Sequence, residues 1–141
     1  MQACLRSLVP LAAAAILAGC AAAPLSYLEG VPLTRTDPHL APVRIVSIDG
    51  ELFFDPPARP VEIYPGTHDV VLESTSTTMR IALQKHYPLK VEPCRRYFLA
   101  ARRDASMQTD WSLVVDHEEV VAGCNPDDEL RKAQIAAGKH T

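Results

Sequence analysis

Val61-Glu62-Ile63-Tyr64-Pro65-Gly66-Thr67-His68-Asp69-Val70-Val71-Leu72 is the stretch on which the fold turns. Val61 and Ile63 stand two apart, as do Val70 and Leu72, and Pro65-Gly66 lies between the pairs. Side chains of a strand alternate between its faces, so each pair puts two apolar residues on one face, and proline followed by glycine favours a chain reversal. The spacing predicts a hairpin, with one strand over 59–64 and its partner over 67–73.

The same pattern extends in both directions. Upstream, Val43, Ile45 and Val46 form a β-rich run over 43–48. Asp49-Gly50 reads as a two-residue turn into Leu52-Phe53-Phe54, and Asp55-Pro56-Pro57 stops that strand. Downstream of the polar tip 74–78, Met79, Ile81 and Leu83 alternate with Arg80, Ala82 and Gln84, and Leu89 and Val91 alternate with Lys90 and Glu92. Tyr97 to Ala101 and Trp111 to Val115 read as further strands, the second continued by Val120-Val121. Short strands separated by turn signals, with no helix among them, predict an all-β fold: a small β-sandwich or open barrel of about seven strands. The tail follows a different pattern. Asn125 is a good N-cap, Pro126 suits the first helical position and Asp127-Asp128-Glu129 complement the positive end of a helix dipole, while Gly138 ends the element. Leu130 and Ile135 are its only large apolar residues, so this short C-terminal helix is expected at the periphery.

The other end of the chain carries a different signal. Arg6, the apolar run Leu8 to Leu17 and the small pair Ala18-Gly19 follow the order of a secretory signal peptide. The run is too short for a membrane span, which takes about 20 apolar residues. Leu17-Ala18-Gly19-Cys20 matches at every position the lipobox of bacterial lipoproteins, and the chain resembles them there. That resemblance implies cleavage before Cys20, a diacylglycerol on its sulfur and a third acyl chain on its amine. One chain holds a protein only marginally, whereas two or more anchor it stably. With Ala21 next, where Asp would imply inner-membrane retention, the resemblance implies the outer membrane, with the domain facing the periplasm.

These signals divide the chain into a signal peptide (1–19), a lipidated cysteine and Pro-rich tether (20–42), a β-sandwich domain (43–124) and a helical tail (125–141). Pro24, Gly30, Pro32, Pro38 and Pro42 punctuate the tether. Proline-dense chain extends by about 3 Å per residue, so the domain is expected to stand up to a few tens of Å off the bilayer.

Of four cysteines, Cys4 leaves with the signal and Cys20 takes the lipid, which leaves Cys94 and Cys124. An even pair in an oxidising compartment predicts a disulfide. Closing a loop of that length restricts the unfolded chain by about 3.6 kcal/mol, against a typical net stability of about 5–15 kcal/mol. The alternatives are a metal pair or a reactive thiol, but neither cysteine has a second Cys or His at ligand spacing beside it.

A net charge of −3 and a pI near 5.9 argue against a general nucleic-acid binder, as does the expected compartment. One local basic feature stands out, Arg95-Arg96 and Arg102-Arg103 on either side of Tyr97 to Ala101. Either these are solvated charges at the ends of a buried strand, or they form a patch for an acidic partner such as lipid headgroups or an anionic envelope polymer. Catalytic patterns are missing from the sequence. His68-Asp69 and His117-Glu118-Glu119 make no HExxH or HxH, and Ser47, Ser74, Ser76, Ser106 and Ser112 have no G-x-S-x-G context. Asp116 and Glu119 are nearby carboxylates of the kind glycosidases use, but are expected to be solvated charges on a sheet rim. The expectation is a protein with no enzymatic activity, catalytic residue, metal or cofactor. Trp111, the single tryptophan, is expected to plug the core near the disulfide, the alternative being an exposed stacking platform.

Ile48-Asp49-Gly50 followed by residues 61–72 resembles the PEGA-type surface repeat, in which a ligand-less β-module sets a PG-x-H-x-V-x-L hairpin after an x-D-G turn. Pro93-Cys94-Arg95-Arg96-Tyr97-Phe98, then Trp111, Glu119 and Gly123-Cys124, is similar to a group of small proteobacterial envelope lipoproteins. The resemblance implies an envelope location and carries over no catalytic residue. PEGA-type segments usually have no disulfide, so the Cys94 to Cys124 half departs from that pattern. Taken together, the sequence points to a lipid-anchored cell-envelope protein with a binding or structural role. Its partners would be the membrane, through the N-terminal lipid, and an envelope protein, through a sheet edge or the Arg-rich strand, with no nucleic acid. The alternative is a periplasmic binder of a small envelope ligand, lipid or glycan, in a concave apolar pocket. A hydrolase is a distant third.

Overall fold

The computed structural model describes residues 23–30, 37–53, 60–75, 82–105 and 109–138. Cys20 and the expected strand residues Phe54, Met79 and Ile81 lie outside them. Among the described residues the chain forms β1 (Ser26–Gly30), β2 (Leu40–Pro42), β3 (Arg44–Ile48), β4 (Glu51–Leu52), β5 (Val61–Ile63), β6 (Gly66–Thr75), β7 (Ala82–Val91), β8 (Arg95–Arg102), β9 (Ser112–Val120) and α1 (Pro126–Gly138). The fold is all-β, with two sheets and one short C-terminal helix.

In the first sheet β8 is paired along both edges. β9 runs antiparallel along one edge from Arg95↔Val120 to Arg102↔Ser112. The other edge is shared end to end by β1, which is parallel to β8 from Tyr27↔Arg96 to Gly30↔Leu99, and β2, which takes the last residues. β5 then pairs antiparallel with β1. The second sheet has the order β4-β3-β6-β7. One buried cluster joins the two sheets: Leu28, Val61, Ile63, Tyr97, Leu99 and Ala101 from the first meet Ile45, Ile48, Val70, Leu72 and Val91 from the second. Leu28, Leu72 and Leu99 are fully buried, and burying each such side chain contributes about 1.5–3 kcal/mol.

Local sequence explains several details. Asp49 and Gly50 both take positive φ, 49° and 85°, the requirement of the two-residue turn that joins β3 to β4. Ile45 and Ile48 are an odd number of residues apart, yet both reach the core, because a bulge between Ile45 and Ser47 resets the alternation. At the helix start, Asn125 Oδ1 accepts the Asp127 N–H at 3.0 Å, as an N-cap should.

Three expectations change. First, 59–64 and 67–73 do not form a hairpin: β5 belongs to the first sheet and β6 to the second. Tyr64-Pro65 carries the chain from one sheet to the other, so Val61 and Ile63 join Val70 and Leu72 across the core instead of along one ladder. Second, the 20–42 segment is not wholly a tether, since it supplies β1 and β2. Its alternation, Ser26 and Leu28 inward with Tyr27 and Glu29 outward, includes only one large aliphatic residue and so leaves a faint hydrophobic period. Third, Trp111 is buried in the core but far from the disulfide. It precedes Ser112 at one end of the β8–β9 pair, whereas Cys94 precedes Arg95 at the other, about 25–30 Å away along the strands. Its neighbours are the Tyr87 ring, 5.6 Å between centroids, and the Lys85 ammonium.

Cys94 and Cys124 form the predicted disulfide, with Cα atoms 5.6 Å apart. Cys94 occupies a left-handed position, φ 61°, directly after Pro93 in the turn from β7 to β8. That turn is pinned further by Tyr97, whose hydroxyl accepts the Glu92 N–H at 2.9 Å, and by the Cys94 carbonyl, which accepts the Val121 N–H at 3.0 Å. Gly30 ends β1 where it passes under the start of β3. A Cβ there would lie 2.2 Å from the Val43 carbonyl oxygen, so no side chain fits without moving backbone.

Two stability predictions follow from this packing. Gly30→Ala should destabilise the domain by about 1–3 kcal/mol through overpacking, read as a lowered midpoint in thermal melts. Cys124→Ala, or reductant on the wild type, should remove about 3 kcal/mol, and a denaturant titration measures the loss as a lower midpoint.

Candidate functional site

The outward face of the first sheet is where side chains of different chemistry converge. Inward parity on β8 belongs to Tyr97, Leu99 and Ala101, which leaves Arg96, Phe98, Ala100 and Arg102 on the outer side. Parallel pairing puts Glu29 of β1 beside Phe98, two residues along from Arg96, and the Arg96 Nε donates to Glu29 Oε2 at 2.9 Å. The guanidinium also lies 5.0 Å from the centre of the Phe98 ring. On the other side of Phe98, His117 of β9 stacks with centroids 3.9 Å apart and planes within 10°. His117 in turn meets the Asp116 carboxylate at 2.8 Å, and Asp116 is the residue that the bulge between β8 and β9 inserts. Glu29, Arg96, Phe98 and His117 thus form a continuous row across three strands.

Beside this row lies an open groove of about 280 Å³ lined by Tyr27, Pro60, Arg96 and residues 119–122. It offers one cation, one carboxylate and the apolar surfaces of Val120 and Val121. A charged, shallow site of this kind can hold a short polar or peptide-like group through an Arg96 hydrogen bond. Among the described residues no three His, Cys, Asp or Glu side chains are placed to hold a metal ion.

The four arginines singled out by the sequence do not form one patch. Arg95-Arg96 and Arg102-Arg103 sit at opposite ends of β8, about 20 Å apart. Arg95 is half-buried, 3.9 Å from the Glu118 carboxylate, and Arg96 is paired with Glu29. Arg102 is exposed and lines a second open groove of about 250 Å³ with Asp37, His39, Arg103 and Asp104. Arg103 is a correction to the surface reading. It continues the inward parity of Tyr97, Leu99 and Ala101, and only 8% of it is exposed. Its Nη2 donates to the buried Ser74 Oγ at 3.0 Å, which itself donates to the Pro42 carbonyl, while its Nε finds no partner among the described residues. Burial holds its pKa below the ordinary arginine value.

The residues behind the surface-repeat resemblance also come together. His68 lies between the Asp49 carboxylate (Nδ1 to Oδ2, 2.6 Å) and the Tyr64 carbonyl (Nε2, 2.8 Å). Partial burial works against ionisation of Asp49. The His68 ring and the Asp69 N–H outweigh it and hold the carboxyl below its ordinary range. This cluster ties the β3–β4 turn to the start of β6.

Sequence reasoning missed Glu29, Phe98 and His117 as one row, because only the parallel pairing of β1 with β8 and the bulge at Asp116 align them. It also placed Glu129 as a dipole partner at the helix start, whereas that carboxylate is turned inward and only 1% exposed. Oε2 of Glu129 accepts the Leu25 N–H at 2.8 Å, and Oε1 meets the Lys132 ammonium at 2.6 Å.

Among the described residues the Arg103 guanidinium hydrogen-bonds to Ser74 and pairs with no carboxylate, so its burial costs desolvation and gains little in return. Arg103→Met keeps the aliphatic stem and removes the charge, so it should leave the thermal midpoint unchanged or raise it, with a gain in stability on the order of 1 kcal/mol. A clear drop in the melt would assign Arg103 a stabilising role instead. No family model, curated protein or solved structure matches the chain.

Proposed function

We propose that this is a lipid-anchored cell-envelope protein whose β-domain works by binding or structural support and carries no chemistry of its own. The observation that carries the reading is Leu17-Ala18-Gly19-Cys20 behind an apolar run, six residues ahead of a domain closed by a disulfide. Export to an oxidising compartment accounts for a disulfide in so small a domain, and a lipid on Cys20 would keep the domain at a membrane. The outer membrane, with the domain on the periplasmic side, is the location we favour, from Ala21 after the cysteine. We read the two sheets as a β-sandwich more than an open barrel. Among the described residues β7 and β9 share no ladder, and side chains span the gap: the Tyr87 hydroxyl accepts the Leu113 N–H at 3.2 Å and Lys85 donates to the Trp111 carbonyl.

A protein partner would meet an exposed sheet edge or the Arg96 row. Among the described residues β9 borders the first sheet and β7 the second, and edge backbone of this kind accepts an added strand. The second reading, a binder of a small envelope ligand, is favoured by the groove beside Arg96. At about 280 Å³ it falls just below the range of about 300–1,000 Å³ usual for such pockets.

Intact mass and membrane fractionation of the protein expressed in a Gram-negative host, with Cys20→Ala beside the wild type, test the anchor. The expected result is a triacylated mass in the outer-membrane fraction that the variant lacks. A soluble wild type without acyl chains overturns the reading.

A further inference from the structure

The described chain begins at Ala23, three residues after Cys20, and covalent geometry limits three residues to about 11 Å. The first strand starts at Ser26, so the lipid-bearing residue is leashed to one particular end of the domain. Pairing identifies that end. The start of β1 is level with the start of β8 and the finish of β9, through Tyr27↔Arg96 and Arg96↔Glu119. Ser26 Oγ also donates to the Glu92 carbonyl at 3.1 Å, which brings the β7–β8 turn to the same place.

α1 is fastened there as well. The disulfide holds Cys124 to the β7–β8 turn, Glu129 accepts the Leu25 N–H, and the Lys132 ammonium donates to the Ala23 carbonyl at 3.2 Å. The helix therefore touches the very residues that lead to Cys20. Among the described residues five large apolar side chains are exposed, and three of them are in this segment: Val120 (68%), Leu130 (45%) and Ile135 (54%). At 100° per residue Leu130 and Ile135 straddle the side of α1 opposite the docked Glu129. Arg131 and Gln134 lie between them, and Asp128 pairs with Arg131. An apolar pair flanking a polar strip suits the boundary between headgroups and acyl chains better than the bilayer interior.

We propose that the end of the domain formed by α1 and residues 120–124 rests on the lipid surface that carries Cys20, with Leu130, Ile135 and Val120 in contact with it. The inference rests on the anchoring reading above and adds an orientation: the domain lies against the membrane on its helix and does not stand off on a tether. Three part-exposed side chains are too few to recruit a free domain. A leash this short keeps them beside the lipid at high effective concentration, where weak contacts suffice. The opposite end of the sheets, where β8 finishes and β9 begins, is left facing outward with Arg102.

The test uses the full lipidated protein in vesicles of phosphatidylethanolamine and phosphatidylglycerol, with a fluorophore on Leu130→Cys, Ile135→Cys or, as the control at the far end of β9, Ser112→Cys. With Cys20 acylated and Cys94 bonded to Cys124, the introduced thiol is the one available for labelling. Intact mass of each sample is taken first, and a missing acyl mass means that the anchoring reading itself has failed. In acylated protein, nitroxide lipid should quench at least one of the two helix labels by about twofold more than the label at 112, and aqueous iodide should quench it less. Equal quenching at all three positions overturns the orientation while leaving the anchor intact. Helix labels shielded from iodide but untouched by nitroxide lipid also overturn it, assigning the face to a protein partner or a second copy.

Discussion

Strand β8 is the constraint on which the rest of the structure depends. Its inward face, Tyr97, Leu99 and Ala101, is buried against the second sheet, and its two edges are taken up by β9 on one side and by β1 and β2 in series on the other. A strand bonded along both edges and packed on one face must exclude water from most of its backbone, so every neighbour is held in register. That register aligns Glu29, Arg96, Phe98 and His117 on the outer face. It also brings the first described residues, the disulfide and the helix to one end.

The helix is held in an unusual way. Its large apolar side chains are half exposed, and its one fully buried residue is a glutamate. A carboxylate taken out of water is tolerated only when donors satisfy it. Here a main-chain N–H at the entrance to β1 and the ammonium of Lys132 do so, and Lys132 itself spans to the Ala23 carbonyl. Docking through hydrogen bonds leaves Leu130 and Ile135 free for another surface, and the disulfide next to the helix limits how far it moves. Placement of α1 and exposure of its apolar residues thus have one cause.

Much of the fold was legible because local chemistry and final structure agree. β-rich and apolar runs located β3, β8 and β9, alternation located the two ends of β7, which the structure joins into one strand, Asp49-Gly50 marked its turn through two positive φ angles, and Asn125 and Pro126 marked the helix start. What was misread involved choices between partners. Val61 and Ile63 read equally well as one arm of a hairpin or as a strand of the facing sheet, since alternation reports which side is buried and not what buries it. β1 was hidden by its small inward Ser26 and by the surrounding prolines. The Arg pairs looked like one basic feature because sequence distance across a strand says little about separation in space or about the inward turn of Arg103.

By itself, then, the sequence determined most of the strand-forming segments after residue 43, the Asp49-Gly50 turn, the helix cap and the cysteine pair, all of which depend on residues within a few positions of one another or on a count. Only the tertiary structure decided that β5 and β6 belong to different sheets, that Arg103 is buried while Arg102 is exposed, and that Trp111 and the disulfide occupy opposite ends. Those outcomes depend on which faces and edges meet across the core, a global balance of burial and backbone pairing that no local window of residues contains.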